Sequence, residues 1–265
     1  MRRLLAMLFA ALALSAPLAA QNPQTGLHSP ARNSLCAAGE AARQGCAAIR
    51  DRRIVDASAA PWRMIGRVNF AGVEMRSHCT GTMIAERVAL TAAHCLYNEA
   101  RARWIVPQAL RFAAGYQRGE SVAVSPVARY VIAPGLDAPR RDWRHDPAQD
   151  WALLVLEDPI GRETGVAVLD PAPGPLSLAG YAGLRPHVLS IADDCETAPG
   201  QAAGAIVTGC AAMMGDSGGP IFVRKGDTLH LAGLLSAVAP DPSGVRSIAA
   251  PTNAIAEALA AVRAN

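Results

Sequence analysis

The stretch AAMMGDSGGP, residues 211–220, sets Asp216 directly before Ser217 in a run of small residues. Gly-Asp-Ser-Gly is good turn chemistry, because glycine allows positive φ and Asp or Ser side chains bond to nearby backbone groups. The same residues can also bend the chain so that backbone N–H groups converge beside a nucleophile. A serine hydroxyl is a poor nucleophile until a neighbouring base takes its proton, and that base needs a third group to orient it. Two other segments offer such partners. ALTAAHC places His94 after an apolar run and among small residues, with Cys95 as an immediate anchor. DWALLVL places Asp150 at the head of a hydrophobic strand. A partly buried carboxylate needs a hydrogen-bond partner, and a histidine ring N–H is a suitable one. Taken singly, His94 also reads as a satisfied core histidine, Asp150 as a strand-capping turn residue, and GDSG as a plain turn.

The chain that must position these groups has 265 residues, enough for one large domain or two small ones. Hydrophobic residues make up 51% and charged residues 18%, which excludes wholesale disorder. A formal charge of +3, with no lysine- or arginine-rich tract, gives no ground for a nucleic-acid partner. The loop PGLDAPRRDWRHDPAQ, residues 134–149, mixes both charge signs with one tryptophan and reads as a solvated loop. From Ile54 onward, short β-branched and apolar runs alternate with turn signals, in two series separated by LDPAPGPLSLAG. Many short strands in two groups predict an all-β sandwich or barrel pair, not a βαβ fold. In PTNAIAEALAAVRA, Thr252 or Asn253 is placed to cap a short C-terminal helix.

The first residues, MRRLLAMLFAALALSAPLAAQ, run from two arginines through an apolar stretch to small residues. That is the layout of a secretory signal peptide covering residues 1–20, with cleavage before Gln21. The rival is a membrane anchor, but Leu4–Leu14 is short against the roughly 20 apolar residues of a span. The mature protein is therefore expected to be secreted or periplasmic. Six cysteines suit that oxidising setting. Sequence proximity favours Cys36–Cys46, Cys79–Cys95 and Cys195–Cys210; free buried thiols are the alternative. No Cys-x-x-Cys or paired His/Cys spacing points to a metal, and neither metal nor cofactor is expected.

In the order His, Asp, Ser, the motifs TAAHC, DWALL and GDSGGP resemble those of the trypsin/chymotrypsin family of serine endopeptidases. The resemblance runs from about Ile54 to the C-terminus. CTGTMIAERVALTAAHC adds to it, since Cys79 and Cys95 bracket a strand pair as in the family. The resemblance implies two six-stranded antiparallel β-barrels, about 54–160 and 161–250, with a short C-terminal helix. Residues 54–265 would form the peptidase domain, and 21–53 a pro-segment or N-terminal extension. It also implies that Ser217 attacks the peptide carbonyl while His94 takes its proton and Asp150 holds the imidazole. The N–H groups of Gly215 and Ser217 would then bind the oxyanion.

In the family, Asp216 pairs with an N-terminal amine freed by activation cleavage. RDRRIVDA offers Arg53 before Ile54-Val55, so a cut after Arg53 is expected to free the Ile54 ammonium for Asp216. Asp56 and Ala57 depart from the glycines usual in that position. A Cys36–Cys46 disulfide would lie inside the pro-segment and tether nothing to the catalytic domain. The residue six positions before the serine, at the base of the specificity pocket in relatives, is Ala211 here and carries no charge. Ser236 leads the pocket wall SAVAP, Val238 stands where a glycine leaves the pocket open, and Gly244 forms the opposite wall. Small or medium aliphatic residues are therefore expected before the scissile bond. Glutamate-specific relatives usually carry a histidine where Leu235 stands. Expected partners are protein or peptide substrates and an activating protease, with a monomeric chain and no membrane after signal removal. Two competing readings are a non-catalytic binding protein on the same scaffold and an esterase with a Gly-x-Ser-x-Gly elbow. The complete set of His94, Asp150 and Ser217 weighs against the first, and the all-β pattern against the second.

Overall fold

The computed structural model describes residues 46–71, 76–136, 146–198, 204–241 and 244–264. The signal peptide, Cys36 and the middle of the 134–149 loop lie outside them. Six strands close into an antiparallel barrel: β2 (Ile65–Ala71), β3 (Arg76–Ala85), β4 (Val88–Thr91), β7 (Leu110–Ala114), β8 (Ala123–Ile132) and β9 (Ala152–Leu156). Between β4 and β7, β5 (Tyr97–Asn98) and β6 (Arg103–Trp104) form a small hairpin of their own. The remaining strands build one sheet from β1 (Arg53–Ile54), β10 (Leu176–Gly180), β11 (Ser190–Cys195) and β12 (Thr197–Ala198). It is completed by β13 (Ile206–Thr208), β14 (Pro220–Lys225), β15 (Thr228–Asp241) and β16 (Gly244–Pro251).

That sheet runs β1-β11-β10-β14-β15-β16-β13-β12. The expected second six-stranded barrel is thus an eight-stranded sheet that stays open among the described residues. Its two edge strands are only two residues long, and each pairs with a single neighbour. The barrel and the sheet share one hydrophobic core, in which Met83, Leu90, Phe112 and Leu153 of the barrel join Phe222, Leu231 and Leu234 of the sheet. The helix Asn253–Ala264 adds Ile255 and Leu259 to it. Thr252 ties the helix start to β15, its hydroxyl donating to the Leu231 carbonyl at 3.1 Å.

Disulfides join Cys79 to Cys95 and Cys195 to Cys210, as proximity predicts. Cys46 is also disulfide-bonded, to a residue outside the described ones. No helix of the described residues is long and apolar enough to cross a membrane. The topology already gathers the chemistry. β4 pairs with β9, Thr91 opposite Ala152, so the turn after β4 that carries His94 meets the turn before β9 that ends at Asp150. Ser217 stands just before β14, whose partner β15 carries Ser236.

Candidate active site

Asp150 has no solvent-exposed surface, and both of its carboxylate oxygens are satisfied. Oδ1 accepts the backbone N–H of His94 at 2.9 Å. Oδ2 accepts the His94 Nδ1–H at 2.7 Å and the Ser236 hydroxyl at 2.6 Å. A buried carboxylate with these donors stays where it is put, and it fixes the imidazole tautomer. With Nδ1 assigned as the donor, Nε2 is the acceptor nitrogen of the ring. His94, Asp150, Ser217, Gly215 and Ser236 line one cavity of about 350 Å³.

The turn that carries the serine is pinned from two sides. Thr80 of β3 donates its backbone N–H to the Ser217 carbonyl at 2.9 Å and its hydroxyl to the Gly215 carbonyl at 2.8 Å. The Asp216 N–H closes a tight turn onto the Met213 carbonyl at 3.0 Å. Gly215 takes φ +97°, and a Cβ there would meet the Tyr181 carbonyl at 2.4 Å. Glycine is required by both conformation and space. Among the described residues, neither the Gly215 nor the Ser217 N–H is engaged by an acceptor. Two backbone donors beside a hydroxyl form the arrangement that stabilises a developing oxyanion. Behind them, Tyr181 is fully buried, and desolvation raises its phenol well above the ordinary tyrosine range while its hydroxyl donates to the Tyr116 carbonyl at 2.8 Å.

The Asp216 carboxylate is also fully buried, and Arg52 holds it. Arg52 Nη1 lies 2.9 Å from Oδ1 and Nη2 lies 3.0 Å from Oδ2. Arg52 Nε also donates to the Ala211 carbonyl at 3.1 Å. Ile54 is elsewhere: in β1 it pairs with Ser190 of β11, and the residue is 47% exposed. Arg53 extends outward to Asp193 in an exposed pair at 2.9 Å. In the uncut chain the cation on Asp216 is a side chain from before Arg53, not an amine from after it.

Of the four residues expected in the specificity pocket, only Ser236 lines the cavity, and its hydroxyl is committed to Asp150. Ala211 packs against Ile49, Ala182 and Met213. Val238 pairs with Ser247 and packs on the cluster of Leu235, Cys210 and Ala212. Gly244 sits at the tip of the β15–β16 hairpin opposite Asp241. Cys79, His94 and Cys95 come close enough to suggest a metal cluster, but the two cysteines are one disulfide and offer no thiolate.

A family model described as Trypsin matches residues 54–181, which include His94 and Asp150 and end before GDSGGP. Over those residues, just under half of the chain, the sequence is similar to the Trypsin family. That match and the fold support a serine endopeptidase. No curated protein sequence matches it. Among solved structures it is similar to a Glu endopeptidase, with a TM-score of 0.65 at 19% identity, over 81% of this chain and 97% of the other. It is also similar to the thermostable serine protease AL20 from an extremophilic microorganism, with a TM-score of 0.57 at 20% identity, over 74% and 94% of the two chains. The protease Anisep from Arthrobacter nicotinovorans gives a TM-score of 0.58 at 18% identity, over 75% and 94%. At these identities the likeness is one of fold.

Arg52 and Thr80 escaped the reading of the sequence. The signal for Arg52 was present in CAAIRDRRIV, where Cys46, Ile49 and Arg52 recur every third residue. Residues 46–51 are helical, and Cys46, Ile49 and Arg52 are all buried. Thr80, a small polar residue between Cys79 and Gly81, carried no comparable mark.

Proposed function

We propose that the chain is an exported endopeptidase that cuts peptide bonds through an acyl-enzyme on Ser217. His94 Nε2 takes the serine proton as the hydroxyl attacks the carbonyl, and the same nitrogen then protonates the departing amine. Asp150 keeps the ring oriented and balances its charge while it holds that proton. The N–H groups of Gly215 and Ser217 take up the charge that forms on the carbonyl oxygen. Water repeats the sequence to release the acid. The observation that carries this reading is the shared cavity of Ser217, His94 and the buried, triply bonded Asp150, next to two unengaged backbone donors.

The residue before the scissile bond is a small or medium aliphatic one in this reading. Support comes from the stretch of β15 that lines the cavity: Ser236 and Ala237 carry no ionisable side chain. Leu235 in place of a histidine removes the group that glutamate-selective relatives use. Export is supported by the signal-like first 20 residues and by the two disulfides. The test is hydrolysis of a peptide library by the purified chain and by S217A. The expected result is cleavage after Ala, Val or Leu that S217A lacks. A profile dominated by Arg, Lys or Glu contradicts the pocket, and equal cleavage by S217A contradicts the mechanism.

A further inference from the structure

We propose that Arg52 is a positioning residue of this protease: its guanidinium holds the Ser217 turn in working shape in the uncut chain, without a cut after Arg53. The inference rests on the protease reading above. The Asp216 side chain lies directly beneath the turn that presents the Gly215 and Ser217 N–H groups. Its Oδ2 accepts the Met213 N–H at 3.0 Å, and its backbone closes that turn onto the Met213 carbonyl. Moving the carboxylate moves the donors. A buried carboxylate needs a buried counter-charge, and the side chains of Arg52 and Asp216 are 1% and 0% exposed. The fork of the guanidinium matches the two carboxylate oxygens, and its remaining donors cap the Ala211 carbonyl. Gly180 makes room for the pair, because a Cβ there would lie 2.3 Å from Asp216 Oδ1.

The segment that delivers Arg52 is built into the fold. Ile49 is 1% exposed and packs with Ala182 and Met213, so it touches the turn itself. The Arg52 carbonyl accepts Arg185 Nη1 at 3.1 Å, and Arg53 and Ile54 follow as an edge strand on β11. An Ile54 ammonium freed by cleavage would have to leave that edge and displace a guanidinium already bonded to both oxygens. Residues 46–52 are therefore part of the catalytic domain, not of a pro-segment that departs. Two further titratable groups adjoin the site, Arg185 and His78, whose Nε2 lies 2.9 Å from the Tyr181 carbonyl beside Gly215.

The experiment compares full chain carrying R53Q, which resists the cut, with protein that begins at Ile54, both treated with a fluorophosphonate and read by intact mass. Uncut R53Q is expected to label at Ser217 at the rate of wild type. Labelling that appears only when Ile54 is the first residue overturns the role of Arg52 and leaves the protease standing. No labelling of either folded form overturns the protease reading and this inference with it. Position is then separated from mere folding by kinetics. R52M is expected to lower kcat by about 100-fold or more with KM little changed, since the oxyanion donors act in the transition state. R52K is expected to recover part of that loss with one ammonium. A guanidinium stays charged where an ammonium titrates. Uncut wild type should therefore hold its activity through about pH 9.5, whereas an α-amine, ordinarily near pH 8, would be losing its charge. Wild-type activity in R52M, or an alkaline loss in uncut wild type that R52K leaves unmoved, contradicts the proposal.

Discussion

Asp150 receives three hydrogen bonds, and they are not equivalent in what their loss would do. The Ser236 hydroxyl can be removed without disturbing the imidazole contact. A hydrogen bond to a charged group is worth about 1.5–3 kcal/mol, so S236A should lower kcat/KM by roughly tenfold or more. D150N reverses the donor pattern at Nδ1 and favours the wrong tautomer, so a loss of about 10⁴ in kcat is expected. Steady-state kinetics on a chromogenic peptide distinguish the two. G215A places a methyl 2.4 Å from the Tyr181 carbonyl at a φ that side chains rarely adopt, so the turn must shift. Its kcat should fall by about 100-fold while its circular dichroism stays that of the parent. That His94, Asp150 and Ser217 come together was legible because each lies in a marked local setting: a serine among glycines, a histidine beside an anchored cysteine, an aspartate heading an apolar strand. That Ala211 and Val238 pack away from the cavity was not, since residue type does not encode which side of its strand or loop a small apolar residue faces.

At the scale of elements, the site is a meeting of turns held by neighbouring strands. The disulfide Cys79–Cys95 links β3, which pins the serine turn through Thr80, to the turn that carries His94. It closes a sequence separation of 16, for which loop-closure entropy predicts about 3 kcal/mol. C79A/C95A should lose about that much stability in urea unfolding. An unchanged midpoint would show that the bond adds nothing beyond the strand pairing. The strands themselves were legible from apolar runs between turn signals, as with VALT of β4, buried along its whole length. How the second series closes was not. Closure depends on edge pairing, and both edges of that sheet are strands of two residues without a pattern of their own. The helical residues 46–51 were likewise missed, because the stretch before Arg53 was read as a pro-segment.

For the whole molecule, two tyrosines, Tyr181 buried and Tyr130 half-buried, bear on alkaline stability. Burial raises the phenols of Tyr181 and Tyr130, whose hydroxyls donate to the Tyr116 and Ile105 carbonyls at 2.8 and 2.9 Å. A phenol with a raised folded pKa keeps its proton where the unfolded chain has lost it, so the folded state binds more protons. Stability is then full below the unfolded value of about pH 10 and declines as pH rises past it. Thermal melts should show Tm falling between about pH 10 and 11, with a shallower slope in Y181F. An equal slope in Y181F would assign the alkaline loss elsewhere. Barrel and sheet share one core with their turns converging on one cavity, where Ser217 is either activated or inert. The most direct measurement is fluorophosphonate labelling of the folded chain followed by peptide mapping, with H94A alongside. A single adduct on Ser217 is expected, and H94A should form it far more slowly. An adduct on another residue, or none on folded protein, would contradict the mechanism.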